Sequence, residues 1–302
     1  MHWLAEFIRE DALVFLSIYF ITLLALSLTL YIEASVGTLH MKYPIRTGLT
    51  PACSLLPALF LCFATPGMSD TDIILYDIPG TASKDKDWSP NVWKTRFVLN
   101  YKKLPHRTSW IEYPDIAALC AELNVPSSAI RRDGSPYYTV PFIYDPLTCT
   151  HVSDSLPIAQ YLERTYPDSP RLFPDGMHAA LRAFEDMWHD RVLQHLFPLM
   201  TNLNDLAPVE KHPELWDRVR TGLGRVDAYM NANGEDPTKF WLGDRVSYAD
   251  VTMAGWLVWV KRVLGSESNE WRNIVGWHGG RWGRLMEEFE RWEFVDSPKA
   301  RL

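Results

Sequence analysis

The sequence predicts an α/β half followed by an all-helical half, with an extra hydrophobic segment at the N-terminus. Three observations carry this. Apolar strands at 73–78 and 108–113 flank a helix at 91–101, which makes a βαβ unit. Val140-Pro141 precedes Phe142-Ile143-Tyr144, a turn at Asp145-Pro146 and the strand His151-Val152, which reads as a β-hairpin. Beyond a Pro-rich stretch at 165–176, helical periodicity dominates to the end of the chain.

The first helix has a defined start. Ser89 stands where an N-cap belongs and Pro90 at the first helical position, with apolar residues at Val92, Trp93, Phe97 and Val98. A hydroxyl there lies beside unpaired backbone N–H groups and the positive end of the helix dipole, an arrangement suited to holding an anion. A second helix is expected at 116–123 and a turn at 132–136. Pro141 admits two readings: a trans proline at a strand edge, or a cis peptide that turns the N–H and C=O of Val140 outward to pair with an extended peptide. Ser153-Asp154-Ser155 opens the next helix. Further on, Ser247 and Asp250 have the spacing of a capping box leading into the apolar helix 251–260, and Gly279-Gly280 ends or bends a later helix.

Composition sets the outer bounds. A chain of 302 residues, 47% hydrophobic, can bury a substantial core and divides into domains, and a net charge of −7 argues against a nucleic-acid partner. The four cysteines form no CxxC pair and no zinc spacing, and read as free thiols of a cytosolic protein. No metal is called for; Asp186, His189 and Asp190 share a helical face but lack a ligand spacing and read as a solvated face. The basic run Lys94, Arg96, Lys102, Lys103 and Arg107 reads for the most part the same way.

Residues 1–67 form a hydrophobic leader. Within it, 12–32 is an uninterrupted stretch of 21 residues without Asp, Glu, Lys, Arg or His, long enough as a helix to cross a bilayer of roughly 30 Å. Lys42 and Arg46 follow it and favour a cytosolic side for the remainder. The other reading is an upstream extension, with translation from Met68 giving a soluble cytoplasmic protein. The predicted division is therefore 1–67, 68–166 and 167–302.

The order βαβ, Val-Pro turn, hairpin and Ser-Asp-Ser helix start resembles the thioredoxin-like N-terminal domain of glutathione transferases. Ser247 to Asp250, after Phe240-Trp241-Leu242-Gly243, resembles the capping box of their C-terminal domain. More narrowly, Trp88-Ser89-Pro90-Asn91-Val92-Trp93-Lys94-Thr95-Arg96 and Asn100-Tyr101-Lys102-Lys103-Leu104-Pro105 are similar to the fungal etherase-related (FuA) class. The resemblance covers about residues 72–293 and implies glutathione as co-substrate, a hydrophobic aromatic second substrate, attack on electrophiles with β-aryl ether cleavage among the reactions, and a homodimer. It also implies that Val140 and Pro141 hold the peptide backbone of glutathione, and that Asp154 and Ser155 hold its γ-glutamyl end.

Ser89 is the leading candidate for stabilising the glutathione thiolate, with Asn91, Thr81 and Ser83 as alternatives. No cysteine occupies this loop, which argues against the thiol-transfer chemistry of cysteine-type members. Trp88, Phe197, Met200 and Trp256 are candidates for the acceptor pocket, alongside an ordinary core role. A non-catalytic ligand-binding or regulatory protein on the same fold is the alternative function.

Overall fold

The computed structural model describes residues 71–80, 87–200, 208–233 and 240–296, all within one unit spanning 62–302. The candidate membrane segment at 12–32, the rest of the leader, Thr81 and Ser83 lie outside the described residues. Among the described residues, no helix is long and apolar enough to cross a membrane.

Strand β1 (Ile73–Asp77), helix α1 (Pro90–Tyr101) and strand β2 (His106–Trp110) form the βαβ unit, with β1 and β2 parallel. A 3₁₀ turn at Tyr113–Asp115 leads into α2 (Ile116–Glu122), a short hairpin of β3 (Ala129–Ile130) and β4 (Pro136–Tyr137), then β5 (Phe142–Asp145), β6 (Thr150–Ser153) and α3 (Ser155–Thr165). The main sheet has the order β2-β1-β5-β6, with β5 antiparallel to both neighbours. This is a thioredoxin-like arrangement. Strand β2 ends earlier than 108–113 implied: Ile111 makes a last bond to the Asp77 carbonyl at 2.8 Å, and then Pro114 turns the chain into the 3₁₀ segment.

The second half is helical. Helix α4 (His178–Trp188) continues through a π-helical turn at His189–Leu193 into α5 (Gln194–Met200). A 3₁₀ turn at Val209–Lys211 precedes α6 (His212–Asn231), and α7 (Tyr248–Leu264) and α8 (Asn269–Phe289) follow, the last running into a 3₁₀ turn at Glu290–Trp292. Helix α8 is interrupted from Trp277 to Gly280, where His278, Gly279 and Gly280 have positive φ, so the glycine pair bends the helix. The capping box forms as expected: Asp250 accepts from the Ser247 N–H at 2.8 Å and the Ser247 hydroxyl at 2.7 Å, and also from the Trp241 N–H at 2.7 Å.

Helix α1 lies at the centre. Ten of its twelve residues are buried, which leaves it no solvated face. Three members of the basic run are therefore buried rather than solvated, because each finds a carboxylate: Lys94 with Glu185 at 3.2 Å, Arg96 with Asp77 at 3.0 Å and Lys102 with Glu163 at 2.8 Å. Lys103 and Arg107 are exposed. The chain from Trp292 to Asp296 then covers the far end of α1 and the β2 edge. Asn100 donates to the carbonyls of Trp292 and Phe294, Arg96 donates to that of Val295, and Asp296 accepts from the Thr108 N–H. Of the cysteines in the described residues, Cys120 is a buried free thiol whereas Cys149 is disulfide-bonded, so the free-thiol expectation fails for Cys149.

Helices α1 and α7 pack closely against each other at Gly255. A Cβ added at Gly255 would stand 2.9 Å from Lys94 Cγ and 3.0 Å from the Pro90 carbonyl oxygen. Gly255→Ala should therefore lower the unfolding free energy by about 1–3 kcal/mol through overpacking, measured by urea denaturation. An unchanged midpoint would refute that close packing. A second expectation concerns Asp250, whose burial pushes its carboxyl up to about 6 despite the bonds from Ser247 and Trp241. A carboxyl that binds its proton more tightly folded than unfolded contributes stability at low pH that is lost as pH rises through the folded value. The difference in unfolding free energy between the wild type and Asp250→Asn should thus shrink as pH rises from about 5 to 7, and a pH-independent difference would exclude this account.

Candidate functional site

Strand register brings the predicted residues to one end of the sheet. Phe142 pairs with Tyr76 on β1 and with Ser153 on β6, so the residues just before β5, just after β1 and just after β6 are neighbours in space. Those are Val140-Pro141, the segment leading to Ser89, and Asp154-Ser155. The Tyr76 and Phe142 rings stack with centroids 4.2 Å apart, which fixes the rung closest to this end.

The Val140–Pro141 peptide is cis, and both residues are buried. The Pro141 carbonyl accepts from the Asp154 N–H at 3.1 Å, tying the proline turn to the start of α3. Asp154 itself has φ 71°, in the left-handed region that Asp tolerates better than most residues. It is half-buried, and Ser155 after it is buried.

Ser89 is buried at the N-cap of α1, with extended backbone angles, and its carbonyl accepts from the Trp93 N–H at 2.9 Å. Its side chain makes no capping hydrogen bond. The hydroxyl therefore stands at the positive end of the helix without serving the structural role that Ser most often fills there. Asn91 is half-buried in the first turn, and Trp88 is half-buried just before the cap. The loop is braced from below: the Trp93 indole N–H donates to the Asp87 carbonyl at 2.8 Å, and Arg262 of α7 reaches the Asp87 carboxylate at 3.3 Å.

A cavity of about 260 Å³ opens beside Asp154 and Ser155, closed on its other sides by α1, α4, the π-helical turn and α7. Lys94 and Glu185, paired with each other, both line it. Trp256, proposed from sequence as a pocket residue, lines it too. Trp256 packs edge-to-face against Phe197 at 5.1 Å and against Trp259 at 5.3 Å, so Phe197 joins the cavity wall to an aromatic cluster and remains partly exposed. Met200 is buried. Asp186 and His189 lie on the rim; with Asp190 they are exposed, and among the described residues no group of three or more acidic, His or Cys side chains could hold a metal ion.

Sequence reasoning did not single out Glu185, Trp188 or Thr252, which all line the cavity. Thr252 did leave a signal, as the first polar residue inside an apolar helix. Glu185 left none, because its partner Lys94 is ninety-one residues away in the chain.

Family descriptions place the two halves. The glutathione S-transferase N-terminal domain matches residues 88–165, and the glutathione S-transferase C-terminal domain matches residues 201–292. The glutathione S-transferase-like protein ustS of Aspergillus flavus is 30% identical over 254 residues, which is 72% of this chain and 88% of that protein. A glutathione S-transferase of Ceriporiopsis subvermispora, crystallised in complex with glutathione, is 41% identical with a TM-score of 0.71, covering 76% of this chain and all of its own. The glutathione transferase GSTFuA3 from Phanerochaete chrysosporium is 37% identical with a TM-score of 0.70, covering 74% of this chain and 98% of its own.

The Lys94–Glu185 pair generates a prediction of its own. Both side chains are mostly buried, so removing one partner strands a charge: Glu185→Gln should lose about 3 kcal/mol of stability by urea denaturation, and Lys94→Met with Glu185→Leu should recover most of it. A double variant no more stable than Glu185→Gln would show that the pair is not coupled.

Proposed function

The chain belongs to the glutathione S-transferase family, and from that premise we propose that it activates the thiol of glutathione at the N-terminus of α1 for attack on hydrophobic aromatic electrophiles, β-aryl ethers among them. The observation that carries this reading is the Ser89 hydroxyl, which sits at the N-cap of α1 with no capping bond.

A free thiol of ordinary pKa near 8.5 is only a few per cent thiolate at neutral pH, and lowering that value by about two units takes roughly 2.7 kcal/mol of preferential stabilisation. A hydroxyl donated to sulfur, added to the field of the helix end, is an appropriate source. The hydroxyl keeps its proton and acts as an electrostatic anchor. The thiolate forms a C–S bond to the electrophilic carbon, the bond to the halide or aryloxide breaks, and the thiol proton leaves to solvent. Asn91, in the same turn, is the second candidate for the hydrogen bond.

Val140 presents its backbone to the peptide of glutathione at the cis-proline turn, while Asp154 and Ser155 receive the γ-glutamyl end. The acceptor lies against Trp88, Phe197, Met200 and Trp256. Glutathione bound in the Ceriporiopsis relative supports the co-substrate, and the FuA name of the Phanerochaete relative supports the etherase-related class. We place the division between the thioredoxin-like and helical domains at 166/167, and the active form as a homodimer.

Ser89→Ala should lower kcat/KM for a reactive aryl halide by about 10²-fold while changing the glutathione Kd by less than about threefold, and Ser89→Thr should retain most activity. Steady-state kinetics beside calorimetry read both quantities. A wild-type chain that binds glutathione and aromatic ligands with no glutathione-dependent turnover would favour the non-catalytic binding protein.

A further inference from the structure

Four charged side chains sit behind the loop that carries Ser89. Asp87, two residues before Ser89, is 3% exposed, and Arg262 of α7 reaches its carboxylate at 3.3 Å. The same guanidinium nitrogen lies 3.1 Å from Glu293, and Lys261 lies 3.2 Å from Glu293. Two anions therefore meet two cations. Lys261 answers Glu293, which leaves the charge of Arg262 for Asp87. Both cations stand in the last turn of α7, where the carbonyl end of that helix also favours them.

These contacts bear directly on the start of α1. Asp87 bridges to Pro79 beyond the end of β1, and its carbonyl accepts from the Trp93 indole at 2.8 Å, so its backbone is tied to the sheet and to α1 at once. The Arg262 guanidinium lies 5.7 Å from the centre of the same Trp93 ring, which is fully buried. Two residues of chain span at most about 7 Å, so the Asp87 charge stands close to the N-terminus of α1 and is shielded from solvent. Neighbouring groups feel it: burial pushes the Asp77 carboxyl up to about 6, against the pull of Arg96, and the charge of Asp87 adds to that rise. A thiolate held at Ser89 would meet the same field, and an uncompensated anion there favours the protonated thiol.

We propose that Arg262 is a positioning residue for thiol activation, holding the Ser89 loop through Asp87 and cancelling the negative charge that Asp87 would otherwise set beside the thiolate. This rests on the reading of Ser89 as the thiolate's hydrogen-bond donor and deepens it, because it makes the end of α7 a part of the activating machinery. Arg262 acts through Asp87 and touches neither substrate.

The test uses the full chain as wild type, Arg262→Gln, Arg262→Lys, Asp87→Asn and the double variant Asp87→Asn with Arg262→Gln. Two quantities are measured on each. One is the pH midpoint at which bound glutathione gains the ultraviolet absorbance of a thiolate; the other is the calorimetric Kd of S-methylglutathione, which has no thiol to ionise. Arg262→Gln should leave about 3–10-fold less thiolate at pH values below the midpoint, a rise of about half to one unit. Asp87→Asn should shift the midpoint the other way by a similar factor, because Arg262 then stands uncancelled. The double variant and Arg262→Lys should stay within about twofold of wild type, and the S-methylglutathione Kd within about threefold throughout.

A loop that merely loosened would form less thiolate in every variant, the double variant most of all. Shifts of one sign in both single variants, no shift in either, a double variant worse than Arg262→Gln, or a parallel loss of S-methylglutathione binding would each overturn the assignment. Thermal unfolding reports the fold of each variant; should Arg262→Gln unfold, the opposite shift of Asp87→Asn and the retained midpoint of Arg262→Lys still decide. If the wild type binds glutathione without forming a thiolate, the proposed function fails and this inference with it; a wild-type thiolate that the variants leave unmoved overturns this inference alone.

Discussion

At Gly255 the backbone of α7 meets the first turns of α1 with no side chain between them, and the Pro90 carbonyl and the Lys94 stem fill the space a Cβ would need. Helix α1 is consequently enclosed by the sheet on one side and α7 on the other. Its position fixes that of Ser89, which is held by the helix it caps and by the loop braced through Asp87. The geometry of the proposed thiolate site is thus set by the contact between the two halves of the fold, more than by either half alone.

Enclosure of a helix that carries Lys94, Arg96, Asn100 and Lys102 creates an electrostatic problem, since each must be satisfied away from water. The fold solves it with carboxylates drawn from distant elements. Asp77 comes from β1, Glu163 from α3 and Glu185 from α4. Such pairs are weak sources of net stability, but they fix which partner surfaces can meet. The ion pairs of α1 accordingly specify the docking of the sheet, the linker and α4 around it. Glu163 adds to this by accepting the backbone N–H groups of Leu172 and Phe173 at the entry to the helical half.

Much of the fold was legible in the sequence because its signals are local. Ser89-Pro90 marked the start of α1, Ser247 and Asp250 marked that of α7, and alternation around Pro141 marked the hairpin. Strand β2 was misplaced by a few residues, since the paired strand ends where Pro114 turns the chain and not where the β-formers end. The basic run was misread because the solvated-face rule assumes a helix with an outside, and α1 has none. In the candidate site, residues on the thioredoxin-like side stood out through turn and cap chemistry. Those on the helical side, Glu185 and Trp188 above all, were hidden in ordinary helical patterns, and only tertiary packing gives them a cavity to face.

The stretch from Trp292 to Asp296 supplies carbonyl and carboxylate acceptors to Asn100, Arg96 and the β2 edge, across about two hundred residues of chain. Synthesis from the N-terminus makes the donors long before these acceptors. An emerging thioredoxin-like half would pair Arg96 with Asp77 but leave the Arg96 bond to Val295 and both bonds of the Asn100 amide unmade, and closing so long a loop is slow. The thioredoxin-like half thus completes these hydrogen bonds only once the segment from Trp292 to Asp296 has been made, which makes that half on its own a poor choice for autonomous expression.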